Sequence, residues 1–74
     1  MKTYALFQEY IWLVNTIHKA EDGITLEEIN QRWLATEASE GIPIARSTFN
    51  RHRDAILDIF GIIIECNKKN GFRY

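Results

Sequence analysis

The stretch IARSTFNRHRDAILDIFG, residues 44–61, runs directly into IIIECNKKNGFRY, residues 62–74. At about 100° per residue, Phe49, Ile56 and Phe60 fall on one side of a helix, flanked by Leu57 and Ile59. Ser47, Asn50, Arg51, Asp54 and Asp58 fall on the other, with Arg46 at its N-terminal edge. One face reads as core, and the other is free to touch something. Gly61 is the residue type best suited to a left-handed helix cap, and Ile62 to Cys66 is β-branched and apolar enough for a strand. Asn70-Gly71 is a strong turn signal before Phe72, Arg73 and Tyr74. The expected ending is therefore a helix over about 46–60 and a wing-like hairpin over about 62–74.

Charge is segregated along the chain. The total is formally −1, which by itself argues against nonspecific nucleic-acid binding. Residues 1–40 hold Lys2, Lys19 and Arg32 against seven acids, a net of −4; residues 41–74 hold six cations against Asp54, Asp58 and Glu65, a net of +3. The cations converge on one helix and one turn. Arginine, asparagine and serine can hydrogen-bond base edges and phosphates, and the early turns of a recognition helix enter the major groove. Arg46, Ser47, Asn50 and Arg51 are thus the candidate reading residues, and Lys68, Lys69 and Arg73 the candidate phosphate contacts. Taken alone, the helix reads equally well as a solvated amphipathic helix, and the turn as an ordinary exposed one. Their order in the chain favours double-stranded DNA.

The remainder fits a small three-helix core. Leu6, Phe7, Tyr10, Leu13, Val14 and Ile17 share one face of a helix over about 3–20. Trp12 lies on the opposite, polar side with Gln8, Asn15, Thr16 and Lys19; it is either an interface residue or a cover for a neighbouring side chain. Asp22-Gly23 breaks the chain, and Ile24 is placed for a short strand beside the wing. Thr25 with Glu28 makes a capping box for a second helix over about 26–37, with Leu26, Ile29 and Trp33 inward. Ala38 to Pro43 is the turn before the third helix, longer than a minimal helix-turn-helix turn. The expected fold is mainly α with a small β-hairpin, a single three-helix winged helix-turn-helix domain over 1–74.

Residues 44–74 resemble the end of the DeoR-type winged helix-turn-helix at the N-terminus of WYL-domain transcriptional regulators. Ile44-Ala45, the basic helix from Arg46 to Arg53, Gly61-Ile62-Ile63-Ile64 and Gly71-Phe72-Arg73-Tyr74 carry the likeness. The resemblance is close in the C-terminal half and loose elsewhere. It implies sequence-specific DNA binding in a bacterial-type regulator, with a C-terminal sensing domain beyond Tyr74, so that the chain is expected to be the N-terminal part of a longer protein. Two positions depart from the pattern. Ala45 replaces a capping serine or threonine, and Arg53 stands where related helices carry a core-facing leucine. The Arg53 stem is expected to pack and its guanidinium to snorkel or pair with a carboxylate, which ranks it behind Arg46, Asn50 and Arg51.

Seventy-four residues make one domain with a marginal core, too small for a deep pocket and a catalytic constellation. No phosphate loop, nucleophile motif or paired-acid signature is present, so no enzyme is expected. His18, His52 and Cys66 have no zinc-site spacing, and neither metal nor cofactor is expected; His52 reads as packed at the edge of the third helix. A lone cysteine, with no signal peptide or membrane span in the sequence, fits a cytoplasmic protein without membrane partners. The expected partners are duplex DNA, and a homodimer mate or a C-terminal sensing domain. The main competitor is a winged-helix protein-interaction module working through Trp12 and the acidic helices. RNA is a third possibility, for which no exposed stacking aromatics on a sheet are evident.

Overall fold

The computed structural model describes residues 2–68 and 71–74, with 2–4 described by backbone alone. Three α-helices dominate: α1 (Lys2–Lys19), α2 (Leu26–Leu34) and α3 (Arg46–Phe60). Leu13, Ile24, Ile29, Phe49 and Ile56 are fully buried, and Tyr10, Leu26, Trp33, Ile44 and Ile64 complete one core cluster. Each helix supplies the periodic residues expected of it, except at two ends. Leu6 and Phe7 on α1, and Leu57, Ile59 and Phe60 on α3, stay largely exposed.

The start of α2 follows from its capping box. The Thr25 hydroxyl accepts the Glu28 N–H at 3.1 Å, and the Glu28 carboxylate accepts the Thr25 N–H at 3.0 Å. That backbone donor, reinforced by Arg73, holds the Glu28 carboxyl below its ordinary range. The helix ends earlier than about 37. Thr36 is extended and its hydroxyl donates to the Trp33 carbonyl at 2.6 Å, so a short 3₁₀ turn over Glu37–Ser39 replaces the last helical turn. A threonine that satisfies a helix-end carbonyl in this way competes with further helical propagation.

Side chains of α2 fix the connection to α3. Asn30 pairs with Ile44 as a backbone would: its amide donates to the Ile44 carbonyl at 2.9 Å and its oxygen accepts the Ile44 N–H at 2.7 Å. The Trp33 indole N–H donates to the Ile42 carbonyl at 3.1 Å. These contacts set where α3 begins. Ala45 gives it no side-chain cap, as its identity requires, and Gly61 closes it in the left-handed conformation with φ 68°.

The hairpin expected over 62–74 does not form among the described residues. One antiparallel bridge joins Asn67 to Arg73, and Tyr74 exchanges backbone hydrogen bonds with Ile24 at 2.8 and 3.2 Å. The return strand is interrupted because Gly71 and Phe72, consecutive residues, both have positive φ, 76° and 59°, outside the range of a regular strand. On the outgoing side Ile64 is buried, while Ile62 and Ile63 face outward. Lys69 and Asn70, on which the turn signal and one cation fall, lie outside the described residues. Ile24 does meet the C-terminal segment as expected, and Gly23 permits the approach: a Cβ there would sit 2.9 Å from that of Arg73. No helix among the described residues is long and apolar enough to cross a membrane.

Candidate nucleic-acid interface

Arg46, Ser47, Asn50 and Arg51 all lie exposed on the first turns of α3. Phe49, His52 and Ile56 anchor the opposite side of the helix in the core, which leaves this face outward. The side chains differ in how far they are committed. Among the described residues the Arg51 guanidinium has neither hydrogen bond nor ion pair. Arg46 donates to the Tyr74 hydroxyl at 3.3 Å, a long contact at an exposed site. The Asn50 side-chain oxygen accepts from Arg53 at 3.4 Å, which leaves its amide N–H groups to donate elsewhere. Because Ala45 offers no acceptor, the first-turn N–H groups of α3 are also open to an outside anion.

Arg53 is bound inward, by a different partner from the one expected. Its Nε and Nη2 donate to the Ile64 carbonyl at 3.1 and 2.6 Å, and its guanidinium lies 5.0 Å from the centre of the Tyr74 ring. A carbonyl, not a carboxylate, takes the charge-assisted bonds. The residue fastens the 62–64 segment to α3.

Arg73 is also turned inward. Its Nη1 donates to the Gly23 carbonyl at 3.0 Å and to the Glu28 carboxylate at 3.3 Å, and it is half-buried. It braces the C-terminal segment against the start of α2; Lys68, by contrast, is exposed. Lys69 lies outside the described residues. Trp12 packs edge-on against Trp33 with ring centres 5.0 Å apart, so it covers a core neighbour. The two rings line a groove with Leu6, Gln8 and Thr36.

No protein-family model, curated protein or solved structure matches the chain.

Two residues that support the site have no local signature in the sequence. Tyr74 gathers Arg46, Arg53, the Phe49 ring at 4.8 Å and the Ile24 backbone. Glu9 on α1 pairs with the buried His52 of α3, whose ring lies edge-on to Tyr10 with centres 5.1 Å apart. His52 is thus packed as its position on the wheel implies. The pair ties α3 to α1 from behind, leaving the first-turn arginine face clear.

Proposed function

We propose that this chain binds double-stranded DNA sequence-specifically as the DNA-binding domain of a transcriptional regulator. The observation that carries the reading is the exposed, acid-free first-turn face of α3, with Arg51 uncommitted and Ser47 and Asn50 beside it. In this reading α2 and α3 form the helix-turn-helix pair, and α3 enters the major groove. Arg51 is suited to a bidentate contact with guanine and Asn50 to adenine; Arg46, the open first-turn N–H groups and Lys68 meet phosphates. Lys69 belongs with Lys68 by position in the chain. The described part of the C-terminal segment, held by Arg53, Arg73 and Tyr74, takes the place of a wing in this reading. The resemblance to WYL-domain regulators supports the same assignment and implies a separate sensing domain that governs binding.

A fluorescent mixed-sequence duplex titrated by anisotropy across a salt series tests this. With Arg46, Lys68 and Lys69 on phosphates, log K should fall against log salt with a slope of roughly −3. Arg51→Ala should weaken binding about tenfold or more, and Lys68→Ala with Lys69→Ala should flatten the slope by roughly 2. Absence of binding at low salt, or binding indifferent to salt, would contradict the proposal. It would favour the protein-interaction reading, for which the Trp12–Trp33 groove is the supporting observation.

A further inference from the structure

The opposite end of α3 has a different character. Phe60 stacks edge-on to Phe7 of α1 with ring centres 6.1 Å apart, yet both rings remain about two-fifths exposed: each is 40% accessible. Ile11 is 51% exposed and Ile63 is 70% exposed. One shallow depression is lined by Ile11, Val14, Asn15, Phe60 and Ile62, and a second by Val14, Ile17, His18 and Ile62 to Ile64. They share Val14 and Ile62, so the surface is continuous, and no acid, lysine or arginine lines either depression. Water gains little by wetting such a face.

We propose that this face binds a second copy of the same chain, in a two-fold dimer whose α3 helices run outward from the shared axis. Two considerations select that occupant. The first is area. At about 200 Å² for a fully exposed large apolar side chain, Phe7, Ile11, Phe60, Ile62 and Ile63 leave roughly 500 Å² open. That supplies more than half of the roughly 800 Å² per partner that a stable interface buries, in its apolar centre. The second is spacing, and it rests on the DNA reading above. Arg51 and Ser47 stand nine and thirteen residues before Phe60, or about 14 and 20 Å along the helix. Two copies meeting at their Phe60 ends therefore set the reading turns on the order of 30 to 40 Å apart, the range that spans successive major grooves on one side of a duplex. An isologous contact also needs no charge complementarity, and this face supplies none.

Sedimentation equilibrium without DNA tests the dimer, using the wild-type chain, Ile63→Asp and Ile11→Glu up to about 200 μM. Both replaced side chains are more than half exposed, so far-ultraviolet circular dichroism should show unchanged helix. The wild type should associate with a micromolar Kd, and each variant should weaken association at least about tenfold by leaving an unpaired charge in an apolar interface. A wild-type chain that stays monomeric throughout, or a dimer that neither variant weakens, overturns the proposal. Duplex binding is read separately: a wild-type chain that binds duplex but stays monomeric sinks the dimer alone, and a dimer that ignores DNA sinks the DNA reading alone.

Discussion

Phe49→Ala should destabilise the fold by about 4 kcal/mol. Phe49 is fully buried, and its ring meets Tyr74 edge-on at 4.8 Å. Truncation removes the largest side chain of the core centre and leaves a cavity bounded by elements too firmly tied to collapse, at a cost of about 4 kcal/mol. A 74-residue domain has roughly 4 to 11 kcal/mol in total, so this one change takes much or all of it. The loss also releases the C-terminal Tyr74 from beneath. Urea unfolding followed by circular dichroism measures the effect, with Phe49→Leu expected to fall between the two. A change below about 1 kcal/mol for the alanine variant would show that the core is organised elsewhere.

Arg53→Ala should be the most damaging change to any charged residue of α3. Two guanidinium nitrogens converge on the Ile64 carbonyl, and the plane covers Tyr74. Hydrogen bonds to a charged donor contribute about 1.5 to 3 kcal/mol, and here they leave behind a part-buried carbonyl when removed. We expect a loss of about 3 kcal/mol in urea unfolding. Arg53→Lys should recover less than half, since a single ammonium cannot reproduce the fork or the stacking. Stability within about 0.5 kcal/mol of wild type for the alanine variant would mean that the bonds seen at Ile64 carry no net weight. Arg51→Ala, two residues away and uncommitted, is the natural control and should hardly alter stability.

These two residues mark where the sequence was legible and where it was not. Phe49 and Ile56 were readable as core because a helix repeats every 3.6 residues, and the same periodicity assigned Leu13, Ile29 and Trp33. The capping box at Thr25 and Glu28 and the glycine cap at Gly61 were readable because their partners are local. The inward turn of Arg53 followed from the wheel, but its acceptor did not, because Ile64 lies beyond the end of the helix. The hairpin was misjudged for a related reason. Asn70-Gly71 is a local signal, whereas a strand needs a partner along its length, and Gly71 and Phe72 both adopt left-handed geometry here. Arg73 near a polar turn reads as a free cation until Gly23 and Glu28 are brought against it from about fifty residues away. The Glu9–His52 pair and the Asn30 clamp on Ile44 are long-range in the same sense. The exposed face of Arg46, Ser47, Asn50 and Arg51 was legible because exposure on a helix is the complement of burial.

An amide chemical-shift titration of the ¹⁵N-labelled chain with a short duplex at low salt would locate the DNA-contacting face residue by residue. If α3 enters the groove, the largest changes fall at Ser47, Asn50 and Arg51, with smaller ones at Arg46 and Lys68 and little at Trp12 or Trp33. Unchanged spectra on adding duplex, or shifts centred on α1 with the first turns of α3 unmoved, would contradict that placement of α3.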